Sequence, residues 1–478
     1  IFNMFVQHVL TEIRFDGIDN FEQGFADAIY YNNSPTQDPT NAAPVWGYDA
    51  NSVFLQDEFQ ATDRLTMVFG LRYDWYTSSD YPLENPDFVQ DYGFSNATNL
   101  DGKGLVQPRF GFEFDMSDTT KIHGGLGLYS GGNPNVWLSN NYSANNVLQF
   151  GQRGRSFGYT DGSRSLFDSD VQYVQVYGQN AGGAAAGPGY GVPSELYDAV
   201  GNGVGDNFEI NVLDPNFALP AEWKLSLGLI HDFPNDWRVY ADALVTRGEN
   251  SAMILHGDID QVGVDPDGYP EYESNREASF VLTNSSEGTR TTNLSFRVEK
   301  AFGDNMDMSI GYSNTDAEDV QPMTSSVAFS NYQNRAFFDP EEDVLSTSNY
   351  EIKHRLSATF RYRKEIGPTQ LRVALYGSAN SGRPYSLTFN GTADPYGFTP
   401  FLDIRDNVLR PEDQRNQFTG SWWRKLDMRV SLDFPGFSDG HYGQAFLVID
   451  NLTNLLNDEW GVLYQHNFPR TVTPGTLE

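Results

Sequence analysis

The chain has 478 residues, 64 acidic and 31 basic side chains, a formal net charge of −33 and no cysteine. So acidic a surface repels phosphates and argues against a nucleic-acid partner, and the lack of thiols excludes zinc–thiolate sites, disulfides and thiol catalysis. The length exceeds that of one ordinary hydrophobic core, and no run of about 18 consecutive apolar residues occurs, so a transmembrane helix is excluded.

The chain begins at Ile1 without an initiating Met and without the basic and apolar segments of a signal peptide. We therefore expect further residues before Ile1. The first element in chain order is a predicted strand over residues 3–15.

The stretch 65–76 shows a clear alternation. Its odd positions are apolar or aromatic, and most of its even positions are polar or small. A period of two predicts a β-strand with two unlike faces. This strand is about twice the usual length of about 5–6 residues, and a short turn at 61–64 joins it to another strand upstream.

Five more hairpins of this kind follow. Together with the first, their tight turns are centred near Asp63, Asp118, Asn235, Asp304, Pro368 and Asp439. The hairpins are joined by long connections at about 79–104, 131–220, 248–282, 313–347 and 381–420. Because antiparallel strands alternate in direction, all tight turns are expected at one end of the sheet and all long connections at the other.

The predicted strands are long and have one apolar face, and their turns are short at one end and long at the other. This combination is typical of a transmembrane β-barrel. A tilted strand needs about 9–11 residues to cross a bilayer, and closure leaves no strand edge in hydrocarbon. A soluble β-sandwich or propeller is the alternative, but its strands would be shorter and its turns more equal. The sequence therefore predicts an all-β, antiparallel barrel in the lipid of the bacterial outer membrane.

The alternation also predicts which side chains contact lipid. The expected hydrocarbon-facing set is Leu65, Met67, Phe69, Leu71, Leu225, Leu227, Leu229, Met428 and Val430. Tryptophans near strand ends, such as Trp75 and Trp237, fit the aromatic girdles of such barrels. The tight turns are expected to face the periplasm.

Candidate chemistry is sparse. The sequence has no HExxH, no GxSxG and no Walker-type loop, so neither an enzyme nor a cofactor is predicted. The best metal candidate is a calcium site formed by Asp258, Asp260, Asp265 and Asp267. Their spacing is not that of an EF-hand, and a solvated acidic loop is the preferred interpretation.

The longest connection carries aromatic residues, around Phe157 and again around Val174. These side chains could contact a ligand or pack the connection against its neighbours. The sequence leaves both alternatives open.

Several motifs, in this order, resemble those of TonB-dependent outer-membrane receptors, and most of all the Oar-like branch. They are GLRYD at 70–74, PRFG at 108–111, SNYEIKHR at 348–355, SGRPYS at 381–386 and NLTNLLN at 451–457. The resemblance implies a barrel of 22 strands with a plugged lumen. It also implies an inner-membrane TonB-type complex as the energy-coupling partner.

The predicted strands account for only part of such a barrel, about 13–14 strands, because six hairpins and the strand at 3–15 give 13. Residues 1–478 are therefore interpreted as the C-terminal part of a receptor barrel, with the N-terminal plug and first strands outside this chain. We expect an open wall, in which residues 3–15 and the strand ending near Asn454 each pair with a strand from outside it.

The leading functional hypothesis is an energised importer that binds an unidentified ligand at its extracellular loops and lumen. The alternatives are a structural or adhesive surface protein and a passive porin. The presence of a plug would distinguish the importer from the porin. Ligand-dependent growth would distinguish the importer from the adhesive protein.

Overall fold

The computed structural model describes residues 2–3, 11–132, 134–176, 190–205, 209–273, 279–390, 400–405, 408–409, 414–438, 440–468 and 471–473. None of the described helices combines the length and the apolar character needed to cross a membrane.

Twelve long strands form one continuous antiparallel path, here called the wall. They are β1 (Asp49–Thr62), β2 (Leu65–Thr77), β3 (Gly104–Ser117), β4 (Thr120–Ser130), β5 (Ala221–Phe233), β6 (Trp237–Glu249), β7 (Arg290–Phe302), β8 (Met306–Asp319), β9 (His354–Ile366), β10 (Thr369–Asn380), β11 (Trp423–Pro435) and β12 (Tyr442–Ile449). Strands that follow one another in the chain are neighbours in the sheet. The six predicted hairpins are thus confirmed. A short strand, Ser346–Thr347, pairs with the end of β8 and completes the 13-stranded sheet.

One face of the wall is apolar because alternating side chains of neighbouring strands stay in register. Phe69 lies opposite Phe110, Phe110 opposite Leu126, and Leu126 opposite Leu225. The pairing puts all the side chains predicted to face hydrocarbon on this same apolar face. Exposed leucines and phenylalanines recur over many strands of the wall. The surface that they form is unfavourable in water and favourable in hydrocarbon.

The wall is open, as predicted. Among the described residues, β1 pairs only with β2, and β12 pairs only with β11. Each of these two strands therefore has one free edge of backbone N–H and C=O groups.

The prediction of a wall strand over residues 3–15 is wrong for its described part. Thr11–Arg14 instead pairs with Ala28–Asn33, which pairs in turn with Phe150–Arg153, in a separate three-stranded sheet. The physical reason is burial, since Ile29 and Tyr31 of the middle strand are almost completely buried there. Phe2–Asn3 pairs with Val45–Trp46, and residues 4–10 lie outside the described part of the chain.

The long connections between the hairpins contain regular structure. Together with residues 11–48, they are here called the cap. The remaining strands are Phe2–Asn3, Thr11–Arg14, Ala28–Asn33, Val45–Trp46, Phe150–Arg153, Tyr173–Val176, Tyr190–Pro193, Ile210–Leu213, Ala252–His256, Asp260–Val264, Pro270–Glu273, Ser279–Asn284, Pro384–Asn390, Pro400–Leu402, Phe418–Thr419 and Thr471–Val472. The α-helices are Ile18–Gln23, Pro86–Tyr92, Asn135–Ser143, Ser194–Gly201 and Ala328–Gln333, and the 3-10 helices are Pro39–Ala42, Gly154–Phe157 and Leu452–Leu455. The structured cap lies at the end of the wall opposite the tight turns.

The buried hydrophobic residues of the protein lie mainly in the cap. The larger cluster includes Trp46, Tyr142, Leu213, Phe280 and Phe337. A second cluster surrounds the sheet of Ala28–Asn33 and helix Ser194–Gly201. The wall is different, because many side chains of its apolar face, such as Leu55, Leu71 and Leu227, remain exposed.

Candidate functional site

The second face of the wall is lined by paired charges. Arg361 Nε lies 2.7 Å from Asp307 Oδ2 and Lys121 Nζ lies 3.1 Å from Glu113 Oε2, each pair joining neighbouring strands. Arg372 of β10 pairs with a carboxylate of β11 in the same way. Exposed ion pairs contribute only about 0–1 kcal/mol each to stability. Their main consequence is therefore a hydrated, polar face that a charged solute or protein segment can contact.

A recess of about 640 Å³ lies on the wall near the tight turns that follow β5 and β7. Its lining includes Asp232, Arg238, Glu299, Asp307 and Arg361. Sequence reasoning missed it, because its charges come from strands that are far apart in the chain. The only available signal was the recurrence of charged residues at alternate positions near the turns.

The connections of the cap are locked to one another by hydrogen bonds. The Trp137 indole N–H donates to the Ser325 carbonyl at 2.9 Å, and the Asn140 side-chain amide donates to the Ser326 carbonyl at 2.8 Å. Trp46 stacks on Tyr142 with ring centroids 4.5 Å apart. The cap thus joins two of the long connections and residues 11–48 in one packed unit.

Charged groups are also buried in the cap. Arg335 is almost completely buried and donates to the main-chain carbonyls of Pro340 and Glu342. Glu341 accepts the His256 backbone N–H at 3.0 Å. Burial raises the pKa of Glu341 to about 7, and burial also lowers the pKa of His256 to about 4.

The raised pKa of Glu341 gives a pH prediction for the cap. Because the folded pKa lies above the ordinary value of 4.5, the stability linked to this carboxyl is fully present below about pH 4.5 and is lost as pH rises through about 7. His256 acts in the opposite sense, because burial lowers its folded pKa below the ordinary value of 6.5. The stability linked to its neutral imidazole is lost as pH falls from about 6.5 through 4. Glu341→Gln should therefore gain thermal stability relative to wild type as pH rises from 5 to 8.

The measurement is the melting temperature of the purified protein across that pH range, read as the difference between variant and wild type so that the His256 contribution cancels. Glu271→Gln is the matched control, because Glu271 is exposed, and its difference from wild type should not change with pH. A constant difference for Glu341→Gln would contradict the assignment.

The aromatic stretches left open by the sequence pack the longest connection. Phe157 is partly buried against the second cluster, and Val176 belongs to that cluster. Tyr159 is buried and donates its hydroxyl to Glu195 at 2.7 Å. Val174 pairs with Val192 in a short hairpin. These contacts show that part of both stretches packs the longest connection, whereas Tyr173 is 45% exposed.

The calcium candidates have other roles in the structure. Asp265 Oδ1 accepts the backbone N–H groups of Asp267 and Tyr269, both at 2.9 Å, and so fixes a turn. Asp260 lies in a strand opposite Glu273, and the backbone N–H of Asp258 donates to His256. Within the described residues, no group of three or more carboxylate, imidazole or thiol side chains could hold a metal ion.

One exposed apolar patch on the cap was not predicted. It consists of Ile18 and Phe21 on helix Ile18–Gln23, with Phe167 beside Gly24; these three side chains are 74%, 59% and 68% exposed. Exposed apolar side chains of this size, when they lie close together, are typical of a contact site for another molecule. The sequence carries little signal for it, because two separate segments build it.

The sequence matches the family described as "Outer membrane beta barrel domain" over residues 7–445. No curated protein matches the sequence significantly. Among solved structures, the outer membrane transporter YddB from Escherichia coli is similar at 12% identity and a TM-score of 0.49, covering 89% of this chain and 47% of YddB.

Two further structures are a mutant of the ferric enterobactin receptor PfeA from Pseudomonas aeruginosa and the siderophore receptor PirA from Acinetobacter baumannii. PfeA has 9% identity and a TM-score of 0.43, covering 85% of this chain and 39% of PfeA. PirA has 10% identity and a TM-score of 0.44, covering 89% of this chain and 47% of PirA. This chain spans less than half the length of these three structures. Since the family match extends over most of the sequence, the chain belongs to the outer membrane beta-barrel domain family and lies in the outer membrane.

Proposed function

We propose that residues 1–478 are the C-terminal part of the barrel of a TonB-dependent receptor of the Oar-like branch, an importer energised from the inner membrane. The proposal is supported by the ordered motifs at 70–74, 108–111, 348–355 and 451–457. The plug and the TonB-contacting segment would belong to other parts of the polypeptide. No enzymatic activity is proposed.

The observation that carries the proposal is the packed cap at one end of a wall whose second face is polar. A passive porin needs an unobstructed channel, whereas the long connections here are cross-linked by buried contacts such as Trp46 on Tyr142. Ordered loops at the outer end supply a rigid surface on which a ligand can be held with little entropy cost. The charged wall face then offers a hydrated path through the barrel.

The test compares the full-length protein with and without energy coupling. Cells that depend on the protein for uptake should lose ligand-dependent growth when TonB is deleted, and purified protein in a planar bilayer should conduct only after the plug is deleted. Conductance by the intact protein would favour the passive porin. Unchanged growth without TonB, with a closed intact barrel, would favour a structural or adhesive role.

One observation favours the adhesive alternative, namely the exposed patch of Ile18, Phe21 and Phe167. Such a surface could bind a partner outside the cell. Cells expressing the double variant Phe21→Ser, Phe167→Ser should lose adhesion if this patch is the contact. Uptake would be unchanged, which distinguishes the two functions.

The orientation of the barrel is a separate prediction. The tight turns at Asp63, Asp118, Asn235, Asp304 and Pro368 lie at one end of the wall, and Asp439 lies outside the described residues. Single cysteines at these positions should not react with a membrane-impermeant maleimide on intact cells, because that end faces the periplasm. A cysteine at the exposed Ile18 of the cap is the positive control and should react. Labelling at two or more turn positions would reverse the orientation.

A further inference from the structure

Asp57 places a carboxylate within the apolar face of the wall. It lies on β1 directly opposite Phe69 of β2, and its neighbours on the same face of β1 are Leu55 and Phe59. The strand ends five residues later, at Thr62. With a rise of about 3.3 Å per residue and a tilt of about 40°, Asp57 lies roughly 13 Å from the turn, near the middle of an apolar band about 25 Å high.

No other charged side chain in the described wall strands occupies such a position. On the apolar face, the remaining charges lie within three residues of a strand end, as Arg247, Lys300 and Lys364 do. Charged side chains at strand ends reach the polar membrane interface. Asp57 is too far from either end of β1 for so short a side chain to do so.

The surroundings of Asp57 do not compensate its charge. Leu55 is 77% exposed and Phe69 is 44% exposed on either side of it, and all three residues line an apolar depression. No described residue forms an ion pair or hydrogen bond with the Asp57 side chain. A carboxylate facing hydrocarbon is unfavourable without such a partner.

The free edge of β1 shows from which side a partner can come. β2 covers one edge of β1, and no described residue covers the other. In the wall, each inner strand pairs with the strands before and after it in the chain. By the same rule, the free edge of β1 is the edge that a preceding strand would cover.

We propose that Asp57 pairs with an Arg or Lys side chain on the transmembrane strand that precedes β1 in the polypeptide. A basic group compensates the carboxylate where water cannot, and Arg can donate two parallel hydrogen bonds to it. The pair would also fix the register of the two strands, because a slip of one residue sends the basic side chain to the opposite face. The inference rests on the outer-membrane barrel and does not depend on the proposed receptor function.

The first test is assembly of the full-length protein, measured as the heat-modifiable fraction in outer-membrane preparations. Asp57→Leu should lower this fraction at least threefold, although leucine suits hydrocarbon better, because it leaves a basic group unpaired. Asp57→Asn should have a smaller effect, and Leu55→Ala, two residues away on the same face, should have almost none. Equal or improved assembly of Asp57→Leu would show that the carboxylate has no basic partner.

The second test identifies the partner. The chain contains no cysteine, so Asp57→Cys can be combined with single cysteines at successive outward positions of the preceding strand. One position should cross-link within a single polypeptide, and its native residue should be Arg or Lys. Exchanging the two charges, with Asp57→Lys and the partner changed to Asp, should restore assembly. A cross-link to an uncharged position, or a product of dimer mass, would overturn the proposal.

Discussion

Leu227→Arg is expected to prevent most of the protein from assembling in the outer membrane. Leu227 lies at the centre of β5, opposite Gly124 of β4 and Ala243 of β6. These neighbours are small, so the leucine side chain stands out from the wall and is 55% exposed on its apolar face. An arginine near mid-bilayer on a lipid face costs about 2–4 kcal/mol, which corresponds to roughly 30-fold to 1,000-fold in an equilibrium constant.

The control for this prediction places an arginine on the polar face of the same strand, β5. Ser226→Arg introduces arginine next to Leu227 but on the opposite face of the strand, and should assemble like wild type. Lys224→Leu removes a polar-face cation that lies 3.1 Å from Glu222, and it should also have a small effect. The assembled fraction in outer-membrane preparations is the measurement. Equal assembly of the two arginine variants would mean that the facing of β5 is assigned incorrectly.

Arg415→Met is expected to release the last long connection of the cap from the wall. Arg415 donates hydrogen bonds to the carboxylate and the main-chain carbonyl of Asp319, the final residue of β8. The two side chains are 3% and 12% exposed. Removing one partner of a buried ion pair costs about 3–5 kcal/mol, because the other charge stays buried without compensation.

Limited proteolysis of the folded protein measures this effect, since a released connection is cut faster. The double variant Arg415→Met, Asp319→Asn should be more resistant than the single variant, because it removes the uncompensated carboxylate. Arg361→Met is the matched control from an exposed pair on the wall and should change stability by less than about 1 kcal/mol. If the single and double variants were cut at the same rate, the pair would not hold the cap.

The strands and their facing could be predicted from the sequence because both depend on local information. Alternation such as that of Leu65, Met67 and Phe69 defines a strand and its apolar face without knowledge of any other segment. The tight turns are equally local, since two or three residues close five of the hairpins and six residues close the last one. All six hairpins therefore appear in the structure where they were predicted.

The cap could not be predicted in the same way. The longest connections are rich in glycine and polar residues and read as loops, yet they enclose the main hydrophobic clusters of the protein. Their contacts join distant residues, as in the bond between Trp137 and Ser325, which are 188 positions apart. Thr11–Arg14 was misassigned for the same reason, because its partner strand is chosen by burial of Ile29 and Tyr31.

The sequence by itself determined that this protein is a transmembrane barrel with long strands, one lipid-facing surface and short turns at a single end. The period of two and the strand length carry that information, since both are imposed by the bilayer. Only the tertiary structure decided how the connections pack, which charges pair across the wall, and that Asp57 stands among apolar neighbours at a free edge. These features depend on which distant segments meet, and a linear pattern of residues does not contain that information.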